Sequence, residues 1–188
     1  LAINVNLDDT CNAFFDPAVP SLNFFRSGDF CHNTGQIADV VHHEWGHALD
    51  YATLVLDGGT AEGTADVTAM HLTHSPAIGP GFSVFGPPIR NLDASISELG
   101  VLTSDRIDEG DCDFPLGGVS VHCIGQVYGQ AAWELAQALR TREGQRTGWR
   151  TSERLFFVSL PDAGTYRPDS SLALYLAYVQ ADDDDGDL

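Results

Sequence analysis

The sequence predicts an α+β fold that is predominantly helical, and three observations predict it. Residues 1–30 alternate and turn in the manner of strands, while five later segments carry apolar residues at helical spacing. Between those helices, residues 75–118 are broken repeatedly by proline and glycine.

Taken in order, Leu1-Ala2-Ile3-Asn4-Val5-Asn6 alternates as a strand does, and Leu22-Asn23-Phe24-Phe25 is a second extended run. Asp16-Pro17 and Val19-Pro20-Ser21 turn the chain between them. Thr34 can cap a helix that begins near Gly35 and runs to about Leu54, with Ile37, Val40, Val41, Ala48 and Leu49 as its apolar contacts. Asp57-Gly58-Gly59 ends it, and Thr60 caps the next helix over 61–73. A short helix fits Asp93 to Leu99 within the irregular stretch, which is long enough to carry function or hold an ion. Further helices cover about 121–141, 151–160 and 169–180. Arg142, Arg146, Arg150 and Arg154 recur at spacing four and read as a solvated face.

The chain has 188 residues, enough for one compact domain, placed over 1–181, with an acidic tail over 182–188. It opens on Leu1, not Met, which reads as a processed or truncated product. No apolar run approaches the roughly 20 residues of a membrane span. The net charge is -18, from 27 acidic and 9 basic residues, and every basic residue is arginine. Such a surface is a poor partner for nucleic acid and for anionic membranes; a monomer is expected. The absence of lysine is what a GC-rich genome produces, with adaptation to salt or a calcium-binding surface as alternatives.

Four cysteines fall into two local pairs, which suggests disulfides Cys11–Cys31 and Cys112–Cys123 among three open connectivities. Disulfides imply an oxidising, extracytoplasmic compartment and hence a secreted protein. In the tail, Asp182, Asp184 and Asp187 stand ahead of or beside Gly186. The run reads either as a disordered acidic tail or as a calcium site completed by other groups.

The chemistry concentrates in His43-Glu44-Trp45-Gly46-His47. On a helix, positions i and i+4 share a face, so two imidazoles can meet one metal ion. Glu44 then stands beside the first ligand, where a general base is needed. Two nitrogen ligands, one carboxylate base and an open position are the parts of a zinc hydrolase. A third ligand is expected on the following helix, and Ala61-Glu62-Gly63-Thr64-Ala65-Asp66 supplies one in Glu62. Asp66, one turn on, is placed to accept the second N–H of a ligand histidine, His43 in particular. His42 points about 100° away from His43 and reads as packing or surface. His32, His71 and His74 have no matching partners. Trp45 reads as a core anchor, and Gly46 as a point of close helix approach.

H-E-x-x-H followed by E-x-x-x-D resembles the gluzincin zinc peptidases, with thermolysin and the fungalysins as the nearest relatives. Asn12-Ala13-Phe14-Phe15 resembles the N-A-F-W edge strand of thermolysin-like enzymes, and Val121-His122-Cys123-Ile124-Gly125-Gln126-Val127-Tyr128 resembles the fungalysin motif V-H-A-I-G-E-V-W. The same helix continues as Ala132-Trp133-Glu134-Leu135, similar to that family's L-W-E pattern. The chain departs from the pattern at Gln126, where fungalysins have glutamate, and in a shorter gap between His47 and Glu62.

The resemblance implies a compact zincin-like metallopeptidase domain: an N-terminal sheet with an edge strand, an H-E-x-x-H helix, a glutamate helix and C-terminal helices. It implies Zn²⁺ on His43, His47 and Glu62, with Glu44 as general base, Asp66 behind His43, and His122 as donor to the developing oxyanion. Asn12 and Ala13 would pair with an extended protein or peptide substrate, favouring an endopeptidase. The competing reading is a non-catalytic extracellular binding or adhesion module stabilised by zinc or calcium.

Overall fold

The computed structural model describes residues 1–53, 58–97, 99–108, 110, 112–113, 120–166 and 171–182. The fold is α+β. Three strands open it, β1 (Ala2–Thr10), β2 (Ala13–Asp16) and β3 (Ser21–Arg26). They form one sheet in the order β1-β3-β2, with β1 parallel and β2 antiparallel to β3. The central strand is the buried one. Leu22 and Phe24 pack with Ile37, just before the first α-helix, and with Val40 within it, while Trp45 flanks the same cluster, half-buried. Asn23 is buried as well and is satisfied by donating to the Ser21 and Phe14 carbonyls and accepting from Asn4 Nδ2 at 2.8 Å. Strand β2 is left as an edge.

A 3-10 turn at Thr34–Gln36 leads into α1 (Ala38–Thr53), followed by α2 (Gly58–Thr73). The cap before α1 differs from expectation. Asn33, not Thr34, accepts the free N–H of Gly35. The Thr34 hydroxyl is fully buried and instead donates to the Asn12 carbonyl and accepts from Phe25 N–H, pinning the edge strand to the sheet. Helix α2 starts before Thr60, which lies inside it rather than at its cap.

Helix α2 is the centre of the molecule: Ala65, Asp66, Val67, Thr68, Ala69 and Met70 are all fully buried. A helix buried on every face needs neighbours close on several sides, and glycines permit that approach. A Cβ on Gly46 of α1 would fall 2.6 Å from the Ala65 Cα. A Cβ on Gly63 would meet the Gly125 carbonyl at 2.9 Å, and one on Gly125 would meet the Gly63 nitrogen at 2.7 Å. Gly125 belongs to α4 (Val121–Glu143), so both α1 and α4 touch α2 backbone to backbone.

The irregular stretch contains a two-stranded ribbon, β4 (Ala77–Ile78) with β5 (Arg90–Asn91), and a short helix α3 (Ser104–Asp108). The helix expected at 93–99 is a turn instead. Asp93 accepts from the Ser95 N–H and hydroxyl, the local competition that keeps aspartate out of helix interiors. The C-terminal half is α5 (Gln145–Tyr166) and α6 (Ser171–Asp182). Helix α5 is longer than expected and runs through Pro161. The four spaced arginines are all exposed but do not share one helix, because Gly144 separates Arg142 from the other three. Both expected disulfides, Cys11–Cys31 and Cys112–Cys123, are present. Among the described residues no helix is long and apolar enough to cross a membrane. Of the acid tail, Asp182 is the exposed end of α6, while Asp184 and Asp187 lie outside the described residues.

The main core, with Met70, Trp133 and Phe156, also holds a histidine. His71 is 1% exposed among the rings of Trp149, Phe156 and Phe157, and neither ring nitrogen has a hydrogen-bond partner among the described residues. Burial, with His74 adding to it, pushes His71 down to about 3. The unfolded chain binds this proton below about 6.5 and the folded chain does not, so stability falls as pH drops through that window. Between pH 7 and pH 5 the native protein should lose about 2 kcal/mol that a His71→Leu variant keeps. Urea midpoints of both proteins at the two pH values check this; parallel shifts would refute it.

Candidate metal centre

Helix α1 supplies His43 and His47 one turn apart, as their spacing requires, and α2 brings Glu62 against them. His43 Nε2 lies 3.1 Å from His47 Nε2 and 3.4 Å from Glu62 Oε2, while His47 Nε2 lies 3.7 Å from Glu62 Oε1. One ligand atom from each of the three side chains falls within 4.8 Å of the others, so the group could hold a metal ion. The two glycine crossings place it there. Gly46 sits within the motif and Gly63 follows Glu62, so helix backbones, not flexible side chains, set the separation.

Asp66 lies behind this cluster. His43 Nδ1–H donates to Asp66 Oδ1 at 2.8 Å, which fixes the tautomer and turns the Nε2 lone pair toward His47 and Glu62. The outer oxygens of Asp66 are held by Arg90, which donates from Nε to Oδ2 at 2.8 Å and from Nη2 to Oδ1 at 2.7 Å. Asp66 is fully buried; burial alone would raise its pKa, but Arg90 and His43 outweigh it and hold the carboxyl well below the usual range.

The electrostatics favour a cation at the centre. Burial works against charge on His43, yet Asp66 and Glu62 overcome it and raise the imidazole to about 9. His47 is driven the other way, down to about 4, by burial and by the charge on His43. Glu62 is held low by His43, His47 and His122 despite burial. Without a metal, the cluster therefore keeps one proton among ligand atoms that a cation would otherwise meet. Oε2 of Glu62 is met only at 3.4 Å, by His43 Nε2 and by His122 Nε2, with no shorter hydrogen bond among the described residues. A buried carboxylate oxygen so loosely satisfied fits a ligand position.

Glu44 is on the same helix but turned toward the sheet. Its carboxylate accepts from the Phe15 backbone N–H of β2, and its Oε2 has no hydrogen-bond partner among the described residues. Burial first, and then the charge of Glu62, pushes its pKa up to about 7, against the pull of His43. A carboxylate poised near neutrality can both take and return a proton.

These groups open onto a cleft of about 730 Å³. Asn12, Ala13, Glu44 and His122 all line it. His122 stands on the first turn of α4, half-exposed, with Nε2 3.4 Å from Glu62 Oε2. No model of a known protein family matches the chain, and no curated protein matches it. Of the eight residues named from sequence for the zinc site, its support, the base, the donor and the substrate strand, seven line one cleft and the eighth, Asp66, lies directly behind it. Sequence reading missed Arg90, the Phe15 N–H that anchors Glu44, and Asp50, a buried carboxylate that also lines the cleft. Arg90 had one signal: it is the first charged residue after an uncharged run over 67–89. A lone arginine there needs a buried acid.

Proposed function

We propose that this protein is a secreted zinc-dependent endopeptidase of gluzincin type with a zincin-like fold. The observation that carries the reading is the convergence of His43, His47 and Glu62 on one point, with an uncommitted oxygen of Glu44 in the same cleft. The spacings suit zinc. A tetrahedral ion with bonds of 2.0–2.1 Å sets its ligand atoms about 3.4 Å apart; here the two imidazole Nε2 atoms are 3.1 Å apart, and the Glu62 carboxylate comes within 3.4 Å of one through Oε2 and 3.7 Å of the other through Oε1.

Zinc, when bound, supplies a Lewis acid that acidifies water and polarises a carbonyl. The chain's own residues do the rest. Glu44 takes a proton from the attacking water and hands it to the leaving nitrogen. His122, at the mouth of the cleft, donates to the oxygen on which charge develops. Asp66 and Arg90 keep His43 in the tautomer that leaves Nε2 free. The edge strand β2 offers Ala13 main-chain groups, with the Asn12 side chain beside them, to an extended substrate that lies along the cleft by β-augmentation. An open cleft with a strand edge suits cleavage within a chain better than trimming of its ends. Two disulfides support export to an oxidising compartment. A purely structural zinc site would close with a fourth protein ligand; among the described residues the group has three.

The purified protein is expected to contain one zinc per chain and to degrade an unfolded protein such as casein. A chelator should stop cleavage and added zinc should restore it. A zinc-loaded protein that leaves casein intact would remove the reading.

A further inference from the structure

The cleft has an apolar outer rim that the proposed chemistry does not use. Residues 28–32 lie against 82–84: His32 N–H donates to the Phe82 carbonyl at 2.9 Å, and Val84 N–H donates to the Phe30 carbonyl at 3.1 Å. Phe30 and Phe85 project from this pairing, 79% and 92% exposed. Their exposure is built in. Cys31 is buried and bonded to Cys11, and Gly79, at the root of the same loop, donates its N–H to the buried carboxylate of Asp39. The rings are held out in solvent by a clamped backbone.

Three observations say what they meet. The rim is continuous with the cleft, because Cys11 lines the cleft wall and the loop that carries Phe85 also sends Phe82 and Ile89 into it. Apart from Asp29 it is uncharged: neither 30–38 nor 67–89 contains Asp, Glu, Lys or Arg, in a chain of net charge -18. That charge repels an anionic membrane and a second copy of the chain alike. Finally, Cys11 precedes Asn12 and Ala13 directly, so a polypeptide lying along the strand edge is led to the rim.

We infer that Phe30 and Phe85 form an accessory subsite for an apolar segment of an unfolded polypeptide substrate, lying some residues away from the bond to be cut. The inference rests on the peptidase reading and sharpens it: the preferred substrate is a long chain exposing large apolar side chains, not a short peptide.

The test uses Phe30→Ser/Phe85→Ser in the full chain. Three fluorescent peptides serve as probes: a long one with a Leu/Phe cluster to one side of a cleavable bond, its match with serines replacing the cluster, and a short one spanning the bond alone. Binding is measured in a Glu44→Gln background so that cleavage does not intervene. Losing burial against two large rings predicts at least about ten-fold weaker binding of the clustered peptide, with the other two unchanged. Equal weakening of all three, or none, overturns the inference. So does dissociation of a wild-type dimer by the double variant, or ring-dependent binding of the wild type to phosphatidylcholine vesicles. Cleavage of casein with Glu44 in place is scored separately. Its absence sinks the peptidase reading, while the binding ratio still decides the rim.

Discussion

Glu44→Gln should bind zinc as the parent does and cut peptide bonds at least about 10³-fold more slowly, within the range a general acid–base group contributes. The substitution is nearly isosteric. The amide oxygen can still accept from Phe15 N–H, so the side chain should stay in place. What the amide lacks is a basic site for the water's proton, and it cannot return that proton to the leaving nitrogen. Glu44 is outside the three-residue ligand group, so metal content should not change. Zinc per chain by elemental analysis, together with casein hydrolysis, separates the two effects. Retention of activity within ten-fold of the parent would mean that another group moves the proton. Loss of zinc would mean that Glu44 is itself a ligand.

Asp66→Ala should be the most damaging single change to the fold. The Arg90 side chain is only 11% exposed and its guanidinium is committed to Asp66 through two bonds. Deleting the carboxylate strands that charge, at a cost of about 3–5 kcal/mol, a large share of the stability of an ordinary domain. Asp66→Asn separates folding from function. The amide keeps the volume and its oxygen can still accept from His43 Nδ1–H, but it lacks the negative charge and the second acceptor that Arg90 uses, so His43 is held less firmly and zinc affinity should fall 10- to 100-fold. The sign with pH follows from the depressed carboxyl of Asp66. The Asp66 contribution is complete above the ordinary carboxylate pKa, about 3.9, and is lost as pH falls below it. Denaturation midpoints for both variants and zinc titration of Asp66→Asn provide the check. An unaltered midpoint for Asp66→Ala would show that Arg90 finds water or another acid.

The legible parts of the site were those written in one helix period. His43 with His47, and Glu62 with Asp66, are each one turn apart, so their shared faces follow from spacing alone. Arg90 reaches Asp66 from 24 residues away through a two-residue strand, β5, and no periodicity marks such a contact. Strand β2 was legible through its resemblance to a known edge strand. Its bond to Glu44 was not, because a backbone N–H carries no sequence signal. Thr34 and Asp93 show the same limit in reverse. Both are sound local signals, but burial decided the first and a side-chain turn the second. Helix α2 reads as a modest helix rich in threonine and glycine, yet it is the most buried element. Small residues that look weak for a helix are what three packed helices require.

The backbone contacts at Gly46–Ala65 and Gly63–Gly125 bear on which ions the protein can discriminate. Opposing side chains can rotate to enlarge a site; opposing backbones cannot without moving whole helices. The ligand triangle is therefore stiff. An ion such as calcium, which wants six or more oxygens at 2.3–2.6 Å, would have to spread α1 from α2 to be seated. In the proposed zinc site, selectivity against larger ions would thus depend on the α1–α2 separation as well as on ligand chemistry, and the side chain missing at Gly46 would set the gauge.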